Sequence, residues 1–153
     1  MGLKLKKFEN LLVSQRKIAL DSSCFIYHIE ENPKYVELTK IIFEELLPVG
    51  RIEAIATTLV ITEILTKPYS HNRQDLVLDY RDLILGLSNF SMFAPDEQIC
   101  DNAAQIRSRY GFKTPDAIHL ATAIEENASV IVGNDRQWKR IKEIAVLVLD
   151  DYC

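Results

Sequence analysis

Lys17-Ile18-Ala19-Leu20-Asp21-Ser22-Ser23 is a short apolar run that ends on an acid and then on two hydroxyl residues. The apolar part suits a buried strand. Ser22 or Ser23 can N-cap a helix carrying Cys24, Phe25 and Ile26. The same hand-over recurs along the chain. Glu53-Ala54-Ile55-Ala56 leads through Thr57 and Thr58 into a helical stretch holding Glu63, and Ser129-Val130-Ile131-Val132 leads into Gly133-Asn134-Asp135. Phe90–Phe93 and Ala145–Leu149 are further apolar runs. Continuous rather than alternating apolar strands imply a sheet covered on both faces.

Helical periods lie between these runs. Leu76, Tyr80, Leu83, Ile84 and Leu87 follow one helix face, as do Ile99, Ala103, Ile106 and Tyr110, and so do Leu38, Ile41, Ile42 and Leu46. Strand alternating with helix predicts an α/β fold, a three-layer α/β/α sandwich with right-handed crossovers. No Asn-Gly or Asp-Gly hairpin signal, internal repeat or linker interrupts it. The 153 residues fit a single domain spanning 1–153. Residues 1–16 form an N-terminal extension in which Leu5, Phe8 and Leu12 mark one face of a short helix.

Four acids share a topological position. Asp21, Glu63, Asp116 and Asp135 each stand where a strand is expected to hand over to a helix. In an open parallel sheet the strand C-termini share one edge, where ligands bind. Two carboxylates about 4 Å apart repel by ~4 kcal/mol at an effective dielectric near 20, so a cluster of four calls for protons or cations. Oxygen ligands with room for water suit Mg²⁺ or Mn²⁺, and such ions acting on a phosphodiester mean hydrolysis.

Each acid also has a plainer reading. Asp21 and Asp135 can be turn or cap residues, and Glu63 an exposed helical glutamate. With Thr114 as N-cap and Pro115 at the first helical position, Asp116 can simply favour the helix dipole. Asn134 is either a further oxygen ligand or a cap. His119, i+3 from Asp116, falls on the polar side of the Ala117, Ala121 and Ile124 stripe and reads as structural or solvent-facing, not as a base. The cations around these acids (Arg136, Lys139, Arg140 and Lys142, with Arg107, Arg109 and Lys113) are either a solvated face or phosphate contacts.

Composition narrows the class. A net charge of −4 argues against a high-affinity, non-specific nucleic-acid binder but leaves a nuclease open, because a metal cleft is itself acidic. No apolar run is long enough for a membrane span, and the basic N-terminus lacks the apolar core of a signal peptide. Three sparse cysteines, Cys24, Cys100 and Cys153, read as reduced thiols in a cytoplasmic protein.

From about Lys17 to Leu149 the chain resembles the PIN-domain ribonucleases, in particular VapC-like toxins of toxin–antitoxin systems. The matching motifs are Leu20-Asp21-Ser22-Ser23, Thr62-Glu63-Ile64-Leu65, Thr114-Pro115-Asp116-Ala117-Ile118-His119-Leu120-Ala121-Thr122-Ala123 and Gly133-Asn134-Asp135-Arg136. The third is the most specific. The resemblance implies a sheet of about five strands in the order 3-2-1-4-5. It implies that Asp21, Glu63, Asp116 and Asp135 bind Mg²⁺ or Mn²⁺ for hydrolysis of an RNA phosphodiester. Ser22 and Thr114 would support them or cap helices, and Arg136 or Lys139 would position phosphate. Two departures stand out: Gly133 occupies a place where family members often carry a hydroxyl residue, and the N-terminal extension is longer than in many minimal toxins.

A haloacid-dehalogenase-like phosphatase would need a second Asp where Ser23 stands. A receiver domain would need an acidic pair after the first strand and a lysine after a late one. The stronger rival is a PIN fold that binds RNA or protein without turnover; loss of an acid would favour it, and all four are present. The expected partners are RNA, a second copy in a homodimer and an antitoxin protein. The apolar surplus in Tyr27–Leu47 (Tyr35, Leu38, Ile42, Phe43 and Leu46) predicts either an interaction surface or a face covered by Leu5–Leu12 of the same chain.

Overall fold

Strands that are apolar on both sides need two separate cores, and the residues of each strand divide between them. The structure, a computed structural model, describes residues 2–153. Strands β1 (Lys17–Leu20), β2 (Glu53–Thr57), β3 (Phe90–Phe93), β4 (Val130–Gly133) and β5 (Ala145–Val148) form one sheet. Its order is β3-β2-β1-β4-β5, with every pairing parallel. In the central strands Ile18, Leu20, Ala54, Ala56, Val130 and Val132 face one core, while Ala19, Ile55 and Ile131 face the other. This is the period-2 consequence of the pleat. The expected three-layer α/β sandwich and strand order are therefore the observed ones.

Helices α1 (Leu3–Gln15), α2 (Ser22–Ile29), α3 (Val36–Lys40), α4 (Leu59–Ser70) and α5 (Gln74–Gly86) supply the first core. Helices α6 (Glu97–Tyr110) and α7 (Thr114–Glu125), with a 3₁₀ turn over Arg136–Arg140, supply the second. Local chemistry sets the boundaries of α6. The Asp96 carboxylate accepts from the Ile99 N–H at 2.9 Å, and Gly111 closes the helix at φ +75°.

Two expectations change. The Leu38 stripe is not one α-helix: α3 continues as a π-helical turn over Ile41–Leu46. The wider turn accommodates the adjacent apolar residues Ile41, Ile42 and Phe43, all of which are buried. The apolar surplus is not an exposed interaction surface either. Tyr35, Leu38, Ile42, Phe43 and Leu46 are buried in the first core together with Phe8 and Leu12 of α1. The N-terminal helix thus provides intramolecular cover. Its seat includes the Tyr152 ring, 5.3 Å from Phe8, and the Cys153 carbonyl, which accepts from Lys4 Nζ at 2.9 Å.

Candidate active site

In this order of strands the sheet reverses direction of growth between β1 and β4, which opens a crevice at their C-terminal ends. Asp21 sits there. Its backbone N–H donates to the Val132 carbonyl at 3.0 Å, linking the two strand ends. Because β1 stops at Leu20, Asp21 itself takes the N-cap position of α2, but its side chain makes no cap bond. The serines fall inside the first turn instead of capping it. Ser23 Oγ donates to Asp21 Oδ2 at 2.9 Å, and Ser22 Oγ approaches Oδ1 at 3.4 Å. The hydroxyls orient the carboxylate.

Glu63 lies in the second turn of α4, and helical side chains lean toward the N-terminus. That lean carries its carboxylate back to the sheet edge, with 31% of the side chain exposed. Thr58 is the N-cap residue of α4 without a side-chain bond; the Leu59 N–H instead approaches Thr57 Oγ1 at 3.4 Å.

His119 is where the structure departs most from the sequence reading. It does not face solvent: only 1% of its side chain is exposed. Nε2 hydrogen-bonds Glu63 Oε1 and lies 3.6 Å from Asp21 Oδ1. The opposite wall is the Trp138 ring, centred 5.9 Å away. The reason is the small-residue stripe: with Ala117, Ala121 and Ala123 fully buried, α7 packs so closely that the turn below Asp116 is covered too. The i+3 spacing from Asp116 was the available signal, since such residues share a helix face.

Asp21, Glu63 and His119 offer ligand atoms within 4.8 Å of one another. Asp116 and Asp135 stand outside that tight group. They are still electrostatically present: burial, then Asp135 and Asp21, with a smaller push from Glu63, raise the Asp116 carboxyl above its usual value, against the lowering effect of His119. For His119, burial pulls the imidazole pKa down, but the Glu63 hydrogen bond and the charges of Asp21, Glu63 and Asp116 outweigh it and leave the pKa raised. Asp135 is exposed and uses Oδ1 to accept from the Gln137 N–H at 2.9 Å, capping the 3₁₀ turn. The carboxylate oxygens of Asp21 and Glu63, with Asp116 near them, fit a divalent cation such as Mg²⁺ or Mn²⁺.

Several neighbours are committed elsewhere. Asn134 is a bracket: its Oδ1 accepts from the Asp150 N–H at 3.0 Å and its Nδ2 donates to Tyr27 Oη at 3.2 Å, which leaves the amide oriented away from a ligand role. Thr114 is the first residue of α7, not its cap; Lys113 holds that position, and Pro115 follows Thr114 in the first turn. Arg136 pairs with Asp151 at 2.9 Å, and Lys139 pairs with the same carboxylate. Arg107 donates to the Phe112 carbonyl at 3.0 Å, Arg109 pairs with Glu143, and Arg140 lies 4.7 Å over the Phe112 ring. The ion pairs are exposed and individually weak, so a phosphate can compete for these cations. Gly133 has its own reason: a β-carbon there would come within 3.3 Å of both Asp21 Cβ and Trp138 Cζ3.

A family model described as PIN domain matches residues 18–144. The chain is similar in structure to a chain of the VapBC2 complex of Rickettsia felis bound to a DNA fragment from its promoter (TM-score 0.67, 15% identity, 86% of this chain and 98% of that one). It is similar to a chain of a toxin–antitoxin complex from Klebsiella pneumoniae (TM-score 0.64, 17% identity, covering 86% and 97%). It also resembles one of the DNA-bound VapBC complex of Salmonella typhimurium (TM-score 0.61, 17% identity, covering 87% and 98%). At such identities the likeness is one of fold. No curated protein matches the chain. The match over residues 18–144 covers most of the sequence, and the chain belongs to the PIN domain family.

Proposed function

We propose that this chain is a divalent-metal-dependent endoribonuclease and the toxin of a toxin–antitoxin pair. The observation that carries the reading is the meeting of Asp21 and Glu63, from separate segments, at the β1–β4 crevice, with Asp116 close enough to feel both. Membership of the PIN domain family and a fold shared with chains of VapBC complexes support it.

Asp21, Glu63, Asp116 and Asp135 would hold Mg²⁺ or Mn²⁺. When bound, such an ion supplies charge stabilisation at the scissile phosphate and lowers the pKa of water. The residues supply the rest. Ser23 fixes the direction of the Asp21 carboxylate, and Asp135 is held by its cap bond. Arg136 and Lys139, one and four residues after Asp135, exchange Asp151 for backbone phosphate as RNA docks. The nucleophile is water. Cys24 is no candidate, because burial and then the Asp21 charge push its thiol pKa far up.

The partners of this reading are RNA, a second copy of the chain in a homodimer and an antitoxin. An apolar strip supports the protein contacts: Leu78 and Leu85 stand exposed one heptad apart on α5, with Ile61 of α4 beside Leu85. The reading places the chain in the cytoplasm. Among the described residues no helix is long and apolar enough to cross a membrane.

The test is cleavage of a mixed RNA pool by the purified chain. Cleavage is expected with Mn²⁺ or Mg²⁺ and not with EDTA. Asp21→Asn and Asp116→Asn should each lower it on the order of a hundredfold or more while leaving the fold intact. Full activity in chelator, or undiminished cleavage by Asp116→Asn, overturns the assignment. RNA binding without cleavage under every metal would favour the silent-module alternative.

A further inference from the structure

His119 belongs to the acid cluster yet is not one of the four acids assigned to the metal. Its surroundings give it a task. The imidazole is almost wholly enclosed, so its direction is set by packing against Trp138 and not by solvent. Its Nε2 reaches Glu63 across 56 residues of sequence and two elements, α7 and α4. Glu63 needs such a partner. It has three rotatable bonds, about a third of its side chain is open to water, and Asp21 and Asp116 repel it. A free glutamate in that position gains both entropy and hydration by swinging outward. Asp21 needs less help, because Ser23 and the short reach of an aspartate already fix it.

We propose that His119 is a positioning residue whose Nε2–H holds the Glu63 carboxylate beside Asp21, so that the chain's affinity for divalent metal depends on this hydrogen bond. The proposal rests on the metal-dependent reading above. It assigns His119 no contact with the ion. Outer partners of metal-binding carboxylates act in this way, and losing one typically costs about 10–100-fold in affinity.

Trp138 is the only tryptophan of the chain and adjoins His119, so its fluorescence reports binding without any turnover. The experiment is an Mn²⁺ titration of the full chain, its His119→Leu, His119→Gln and Glu63→Ala variants, and the His119→Leu/Glu63→Ala double variant. His119→Leu is expected to weaken Mn²⁺ binding about tenfold or more, and His119→Gln, which keeps an N–H donor, to stay within about threefold of the parent. The double variant is expected to bind no more weakly than Glu63→Ala alone, because alanine leaves His119 no acceptor and one interaction cannot be lost twice. If His119→Leu does not fold, His119→Asn, polar but too short to reach Glu63, takes its place with the same expected loss. Unchanged affinity in His119→Leu or His119→Asn, or losses that multiply in the double variant, overturns the proposal. A His119→Gln variant as weak as His119→Leu, with Ni²⁺ binding lost more than Mg²⁺ binding, also overturns it and makes the imidazole a ligand. Absence of any Mn²⁺ response in the parent chain overturns the metal reading itself.

Discussion

The Trp138 ring stands 3.3 Å from the place that a β-carbon on Gly133 would occupy, and Asp21 Cβ stands equally close on the other side. The two residues form a matched pair. Trp138, buried beneath the acid crevice, fills the volume into which a larger residue at position 133 would project. The glycine that departs from the family's common hydroxyl residue is thereby explained by volume. Neither wall can retreat easily, since Asp21 Cβ is next to the backbone and the indole is enclosed.

Gly133→Ser should therefore overpack the crevice. The expected cost is about 1–3 kcal/mol in folding stability, read by urea denaturation. The Gly133→Ser/Trp138→Leu double variant should recover part of it relative to the sum of the single changes, because the smaller side chain yields the space. A serine accepted without loss would mean that the Trp138 wall is mobile.

Metal-free stability should fall as pH rises. His119 and Asp116 both have raised pKa values in the folded chain, above 6.5 and 3.8 respectively. The folded state therefore binds these protons more tightly than the unfolded state. The His119 contribution is fully present below pH 6.5 and is lost as pH rises through the higher folded-state value. The Asp116 contribution has the same sign over its lower window. In EDTA, Tm should drop as pH rises above 6.5, and saturating Mn²⁺ should flatten the drop. A Tm that climbs across that range in EDTA would contradict the raised His119 value.

The N-terminal helix should carry global stability. Phe8 and Leu12 are fully buried, and Phe8 also meets Tyr152 from the other end of the chain. Phe8→Ala should cost about 3–5 kcal/mol and Leu12→Ala about 2–5 kcal/mol, measured by chemical denaturation. A loss under about 1 kcal/mol for both would show that α1 is a detachable arm.

The α5 strip should set the oligomeric state. Leu85 is 84% exposed and Leu78 59% exposed, on the same helix face. Light scattering at micromolar concentration is expected to give a dimer for the parent chain and a monomer for Leu85→Asp, with cleavage of short RNA retained. A parent chain that is strictly monomeric removes the homodimer, and a dimer unaffected by Leu85→Asp places its interface elsewhere.

By itself the sequence determined the layers of this protein. The five apolar runs are the five strands to within one residue at their ends, because β-branched and aliphatic runs of that length have few alternatives to a doubly covered sheet. Asp21, Glu63 and Asp135 follow β1, β2 and β4 as the sequence suggested, and the C-terminal edge of a parallel sheet is a topological address. Asp116 does not stand at a strand hand-over: α7 follows α6 directly, and its nearness to Asp21 and Asp135 comes from packing. Only the tertiary structure decided what each neighbour does. His119 looked polar-facing by its own helix and became interior because α4 and Trp138 close over it. Asn134 read as either a ligand or a cap and became a bracket between Tyr27 and Asp150. The apolar surplus of Tyr27–Leu47 read as either an interface or a face under the N-terminal segment, and α1 covers it. Periodicity along a helix or strand reports which face is apolar, but which residues meet across 56 or 107 positions depends on how whole elements pack, and no local pattern encodes that.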